Sequence, residues 1–142
     1  MAALDAVLAR IDSNLDQAIE RLFALVAIPS ISTDPAYAQD CWHAAEWLVG
    51  ELQSLGFDAS LRPTEGHPMV VAKARTGRRG APHLLFYGHY DVQPPDPLDL
   101  WETPPFAPRF ADLPTGKQII GRGVADDKGQ LMTFVEACRA YK

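Results

Sequence analysis

A histidine and an aspartate lie two residues apart, at His89 and Asp91. The imidazole of His89 is a good ligand for zinc and similar metal ions. A metal-bound histidine needs an oxygen acceptor on its other ring nitrogen. Asp91 returns to the same side of an extended chain, where it could fix the tautomer and orientation of a catalytic group. Taken alone the pattern is weak, and a satisfied histidine beside a turn aspartate explains it equally well.

A glycine-rich segment, 121–130, carries the second group of interest. A carboxylate at Asp126 can point into the same crevice as His89 and give one oxygen to each of two metal ions about 3.5–4 Å apart. The alternative is that Asp126 and Asp127 only cap the following helix. We expect capping for Asp127 and metal binding for Asp126. The glycine spacing matches neither phosphate-binding fingerprint.

Three segments carry the apolar spacing of helices. Apolar residues recur every three or four positions over 4–26, over 34–56 and over 131–141. The second helix should open with Asp34 as its cap and Pro35 at its first position, and end at Gly56. Cys41 and Cys138 fall at apolar helix positions, so we expect reduced core thiols rather than a disulfide.

The remaining segments predict strands and one long loop. Alternation over 57–62 and an apolar run at 69–72 predict two strands, and 119–120 predicts a third. The wholly apolar run 84–87 predicts a strand covered on both faces, with the His89 segment leaving its carboxyl end. The proline-rich stretch 94–114 predicts a loop. This order favours an α/β sandwich.

Composition restricts the class of protein. The chain has 142 residues, which suits one domain, and a net charge of −5, which argues against nucleic-acid binding. Its start lacks a signal peptide, and no segment has the roughly 20 apolar residues that cross a bilayer. We expect a cytoplasmic protein. We also expect no metal role for His43, as a structural or surface histidine, or for His67 and His83, as surface histidines.

Together the two chemical segments are far more specific than either alone. They resemble the dinuclear zinc metallopeptidase family of carnosinase-type dipeptidases, glutamate carboxypeptidase, succinyl-diaminopimelate desuccinylase and aminoacylase. The dipeptidase branch looks most similar, while the segment 111–117 looks longer than the family's usual turn. The matching motifs are Ile28-Pro29-Ser30-Ile31-Ser32, Gly88-His89-Tyr90-Asp91-Val92-Gln93-Pro94, Trp101-Glu102-Thr103-Pro104-Pro105-Phe106 and Gly121-Arg122-Gly123-Val124-Ala125-Asp126-Asp127-Lys128-Gly129.

The resemblance implies a fold and a set of site residues. The fold would be a three-layer α/β/α zinc-peptidase-like catalytic domain, with residues 1–142 as its N-terminal portion only. The rest of that domain and the lid or dimerisation domain would be absent. His89 would bind one metal, Asp126 would bridge both, and Asp91 would orient the catalytic site. The metals would be two divalent ions, zinc first, with manganese or cobalt possible. A cis peptide bond should join Asp126 and Asp127.

The same resemblance implies a reaction. A water activated by two metals would hydrolyse the amide bond of dipeptides or short peptides. The family's general-base glutamate and remaining ligands lie beyond the matched region. We therefore expect this chain alone to be inactive, and the full-length protein to be a homodimer. Its uncapped end at Lys142 suggests a cut from a longer protein. The alternatives are a deacylase or carboxypeptidase of the same family, and a non-catalytic metal-binding module.

Overall fold

The computed structural model describes residues 2–74, 77 and 79–142. Short 3-10 turns at Pro35–Tyr37 and Leu98–Leu100 accompany the regular elements. In chain order these elements are α1 (Ala2–Ser13), α2 (Leu15–Val26), α3 (Ala38–Ser54), β1 (Asp58–Arg62), β2 (Met69–Lys73), β3 (Arg109–Leu113), β4 (Gly116–Ile120) and α4 (Lys128–Tyr141).

The predicted first helix is two helices. Asn14 separates α1 from α2, and its side-chain amide donates to the carbonyl of Arg10 at 2.8 Å. Asparagine competes in this way with the backbone hydrogen bonds of a helix, which explains the break. Only the α2 end of the apolar stripe reaches the core, where Leu25 and Val26 are fully buried. Leu8 on α1 remains 49% exposed.

The second predicted helix begins as expected at its cap. The Asp34 carboxylate accepts a hydrogen bond from the amide of Ala36 at 2.9 Å. The 3-10 turn then leads into α3, which buries Cys41, Ala44, Ala45 and Leu48. Gly56 follows the helix with a φ of +79°, the left-handed conformation that commonly ends helices.

Two antiparallel hairpins supply the strands. β1 pairs with β2 in a register that sets Asp58 opposite Lys73, and β3 pairs with β4 so that Arg109 faces Ile120. The predicted strands at 57–62, 69–72 and 119–120 are therefore confirmed. The prediction of a loop throughout 94–114 is wrong at its end, because β3 lies there. The segment 111–117, noted for its extra length, forms the end of β3, the turn and the start of β4.

The prediction of a buried strand at 84–87 is wrong. Leu84, Leu85 and Tyr87 are 81%, 91% and 83% exposed. Among the described residues no strand pairs with this run, because each hairpin pairs only within itself. Apolar character alone therefore did not decide its burial. Phe86 makes one aromatic contact, a stack on Phe134 of α4 with ring centroids 3.8 Å apart.

The core lies between the helices and the β1–β2 hairpin. Arg21 of α2 and Glu136 of α4 form a bidentate ion pair, with both nitrogen–oxygen distances 2.7 Å. Both cysteines are free thiols, as expected. Within the described part of the chain, no helix is long and apolar enough to cross a membrane. The buried core residues are Leu25, Ile28, Ala44, Leu48, Leu55, Met132 and Val135.

Candidate metal site

The structure brings the three predicted site residues together. Nδ1 of His89 lies 3.1 Å from Oδ1 of Asp91 and 3.1 Å from the main-chain oxygen of Asp91. The other ring nitrogen, Nε2, lies 3.1 Å from Oδ1 of Asp126. Asp91 and Asp126 therefore hold opposite sides of one imidazole. Nε2 is therefore the ring nitrogen on the same side as Asp126, where a metal ion could contact both residues.

The spacing of Nε2 and Oδ1 fits a shared metal ion. In a tetrahedral shell, zinc holds nitrogen and oxygen ligands at about 2.0–2.2 Å, which sets the two ligand atoms roughly 3.3–3.5 Å apart. A small widening of the observed 3.1 Å between His89 and Asp126 would admit an ion. The described residues contain no group of three or more side chains arranged to hold a metal.

The pair opens onto a cavity of about 340 Å³. The Asp126 side chain is 88% exposed, whereas those of His89 and Asp91 are 37% and 36% exposed. The Asp126 carboxylate is thus open to the cavity while it contacts Nε2, and the Asp91 carboxylate supports the opposite side of the ring. The cavity is lined by His89, Asp91, Val92, Gln93, Gly121, Arg122, Gly123, Ala125 and Asp126.

The charges around His89 favour a positive ion at this place. Burial of the ring lowers the pKa of His89, but the hydrogen bond to Asp126 and the negative charge of Asp91 outweigh it. The pKa of His89 therefore lies above its ordinary value of 6.5. The same carboxylates that stabilise a proton on the ring would stabilise a metal cation beside it.

Asp127 has a role that its sequence position did not suggest. Its Oδ2 accepts a hydrogen bond from the main-chain amide of His89 at 2.9 Å. The expectation that Asp127 caps the next helix is wrong for its side chain, which makes no cap hydrogen bond although the residue precedes α4. The carboxylate contacts the His89 backbone instead. The predicted cis bond between Asp126 and Asp127 is present.

The side chain of Lys128 connects the start of α4 to the end of α2. Its side chain is fully buried, and Nζ donates to the carbonyls of Leu25 at 3.0 Å and Ile28 at 2.6 Å, where α2 ends. Burial lowers the pKa of Lys128 to about 8. A cation at the carbonyl end of a helix is favourable, so this contact ties the start of α4 to the end of α2. Sequence reasoning missed it, because nothing local marks a lysine for burial.

Glycine is required where the site segments approach each other. A Cβ at Gly123 would lie 2.6 Å from Cγ1 of Val92, and Gly123 has a φ of +86°. A Cβ at Gly129 would lie 1.9 Å from the main-chain oxygen of Val124. The backbone can therefore fold tightly around Asp126 only with glycine on both sides.

The link between α2 and α3 holds the His89 segment from the other side. Ile31 and Val92 form a parallel bridge, and the amide of Val92 donates to the carbonyl of Ser30 at 2.9 Å. The hydroxyl of Ser30, which is fully buried, donates to the carbonyl of Tyr90 at 2.7 Å. Sequence reasoning singled out this link only through its resemblance to the family.

The other histidines lie apart from this constellation. His43 is exposed on α3 and His83 is exposed in the chain before the site. The surface prediction is wrong for His67, which is partly buried and whose Nε2 contacts the main-chain oxygen of Ser32 at 2.8 Å. That contact is with the protein backbone.

Comparison with known proteins points in one direction. Residues 85–142, which contain the site, match the peptidase family M20/M25/M40. The Cys-Gly metallodipeptidase DUG1 of Candida albicans is 37% identical over 136 residues, which is 87% of this chain and 27% of that protein. The succinyl-diaminopimelate desuccinylase of Methylobacillus flagellatus is 35% identical over 127 residues, covering 89% of this chain and 30% of that enzyme.

A solved structure has the same fold. The dipeptidase Dug1p of Saccharomyces cerevisiae superposes with a TM-score of 0.85 at 28% identity, over 99% of this chain and 32% of that one. The α/β fold expected from the sequence is thereby confirmed, as a portion of a larger peptidase fold. The chain spans less than a third of the length of each relative named here.

Proposed function

We infer that this chain belongs to peptidase family M20/M25/M40, which residues 85–142 match, and we propose that the whole protein hydrolyses the peptide bond of dipeptides or short peptides. The observation that carries the proposal is the pairing of His89 Nε2 with Asp126 Oδ1 at 3.1 Å on the wall of a cavity. Asp91 supports the opposite ring nitrogen, as a metal-binding histidine requires. The similarity to a Cys-Gly metallodipeptidase supports the dipeptide substrate class.

The cofactors proposed are two divalent metal ions, zinc first, with manganese or cobalt as alternatives. When bound, such ions lower the pKa of a water and polarise the amide carbonyl. His89 would bind one of them through Nε2. Asp126, whose carboxylate is exposed to the cavity, would offer an oxygen to each. These assignments follow the resemblance and fit the donor atoms present.

Asp91 would act on the reaction through His89. Its carboxylate and main-chain oxygen both lie 3.1 Å from Nδ1, so they would hold a proton on Nδ1 and leave the lone pair of Nε2 to a metal ion that replaced the contact with Asp126. Asp127 fixes the backbone of the same histidine. The general base and the remaining ligands are proposed to come from other parts of the whole protein.

Two alternatives keep support from specific observations. The similarity to a desuccinylase favours an N-acyl-amino-acid deacylase with the same metals, and a carboxypeptidase belongs with it. Hydrolysis rates on a dipeptide panel and on N-succinyl amino acids would separate these enzymes. The second alternative, a non-catalytic metal-binding module, applies if this chain is the whole gene product, because the described residues contain no group of three ligand side chains.

A homodimeric whole protein and a cytoplasmic location stay predictions, to be tested by light scattering and cell fractionation.

Zinc titration of the chain tests the site itself. We expect His89→Ala and Asp126→Asn to weaken zinc binding by at least about tenfold, because each removes a ligand from an incomplete shell. His43→Ala is the matched control, since His43 is an exposed histidine on α3, and it should bind zinc like the unchanged chain. Equal affinity in the His89 and His43 variants would refute the ligand assignment.

A further inference from the structure

We propose that Ser32 is a positioning residue for the Asp91–His89 pair, acting on the metal site of the proposed function. The Ser32 hydroxyl donates a hydrogen bond to Oδ2 of Asp91 at 2.5 Å. The other oxygen of the same carboxylate, Oδ1, lies 3.1 Å from Nδ1 of His89. One carboxylate is therefore held from both sides, by a hydroxyl and by an imidazole.

The hydroxyl matters because an aspartate carboxylate turns easily. The terminal torsion of aspartate has broad, shallow preferences, so the side chain itself does not fix which oxygen faces the ring. A donor on Oδ2 sets the carboxylate plane and leaves Oδ1 toward His89. Asp91 is about one-third exposed, so water would otherwise compete for both oxygens. Ser32 thus selects one orientation among several.

The position of Ser32 is itself fixed by its neighbours. Ile31, next to it, is 2% exposed and forms the parallel bridge to Val92. On the carbonyl side, Nε2 of His67 lies 2.8 Å from the main-chain oxygen of Ser32. The main chain of Ser32 is therefore fixed on both sides of its Cα. Its hydroxyl can reach Asp91 without a change in backbone conformation.

The hydroxyls of Ser30 and Ser32, both in the link between α2 and α3, make different kinds of contact. Ser30 is fully buried and its hydroxyl contacts only a main-chain carbonyl, which is a structural contact. Ser32 is the residue of the link whose side chain contacts a predicted site residue. Loss of the Ser32 hydroxyl should therefore change the state of His89 more than it changes the stability of the fold.

The test reads the His89 ring directly. Nitrogen-15 spectra of the imidazoles, assigned with histidine-to-glutamine variants at one near-neutral pH, report the proton on Nδ1 and its hydrogen bond. In the unchanged chain we expect the Nδ1 proton of His89 to be hydrogen-bonded to Asp91 and slow to exchange with water. In Ser32→Ala the signal of this proton should shift and its exchange should become faster, and zinc affinity should fall about tenfold, the lower end for partners outside the ligand shell. Ser32→Thr, which keeps a hydroxyl, should restore both.

Ser54→Ala is the matched control, because among the described residues the exposed Ser54 hydroxyl donates only to the carbonyl of Glu51. Thermal unfolding of each variant checks that it is folded. A folded Ser32→Ala chain with an unchanged His89 ring spectrum overturns the proposal, as does a changed spectrum with unchanged zinc affinity. If the unchanged chain binds zinc no better than His89→Ala, the proposed metal site is refuted instead. The ring spectrum alone then decides whether Ser32 positions the Asp91–His89 pair.

Discussion

At the scale of single residues, the start of α4 leaves no space for a side chain at Gly129. A Cβ there would lie 1.9 Å from the main-chain oxygen of Val124, and a backbone atom cannot move aside as a flexible side chain can. We predict that Gly129→Ala lowers the free energy of unfolding by about 3 kcal/mol, the upper end for overpacking. Urea denaturation measures this loss.

Gly50 provides the control for that substitution. It lies within α3, and a Cβ there would have nothing within 4 Å. Gly50→Ala should raise the free energy of unfolding by about 0.4–1 kcal/mol, because alanine restricts the unfolded chain and suits a helix better than glycine. A Gly129→Ala protein as stable as Gly50→Ala would contradict the close approach described here.

The residue types that carry chemistry could be predicted from sequence, but their supporting partners could not. His89, Asp91 and Asp126 are marked by type and by motif, and the structure brings them together. Asp127 and Ser32 act through hydrogen bonds to groups that lie far away in sequence. Such contacts depend on how separate segments pack, which no local spacing records. The metal roles themselves stay predictions.

At the scale of elements, α2 and α4 are joined by a bidentate ion pair. Burial raises the pKa of Glu136, but its hydrogen bond and charge interaction with Arg21 outweigh burial, so the pKa lies below its ordinary value of 4.5. A carboxyl whose pKa is lowered by folding stabilises the folded state above its unfolded pKa, and this stability is lost as the pH falls through the folded pKa. The pH range over which this stability is lost therefore lies below pH 4.5.

We predict that Glu136→Gln lowers the free energy of unfolding at neutral pH by about 1.5–3 kcal/mol, the range for hydrogen bonds to charged groups. The difference from the unchanged chain should shrink as the pH falls below 4.5. Denaturation curves at several pH values measure it. Glu46→Gln, at an exposed position of α3, should show neither effect. A difference for Glu136→Gln that is constant with pH would exclude the ion pair as its cause.

Helices were predicted better than strands for a physical reason. The spacing of apolar residues specifies a helix locally, which is why α3 and α4 agree with the sequence. A strand is stable only with a partner, and the partner is chosen by the rest of the fold. The run 84–87 has strand character without a strand partner in the described part of the chain, and β3 arises where proline suggested a loop.

At the scale of the whole molecule, this chain spans less than a third of the length of the relatives named above. We predict that residues 1–142, purified and supplied with zinc or manganese, do not hydrolyse dipeptides faster than the metal alone. The described residues offer no third ligand arranged with His89 and Asp126. A chromatographic assay on a dipeptide panel measures turnover. Hydrolysis above the metal-only control that is lost in His89→Ala would show that the chain suffices for catalysis.

The exposed apolar run 84–87 also predicts that copies of the purified chain associate with one another. Leu85 is 91% exposed in a segment of strand-forming residues, and such segments self-associate between copies of a chain. The purified chain should therefore form larger particles as its concentration rises during storage. Leu85→Lys should suppress that growth in dynamic light scattering, because like charges oppose pairing. Leu100→Lys, at a leucine that is 76% exposed outside the run, should suppress it less. Equal suppression by both would attribute the association to exposed apolar surface in general rather than to this run.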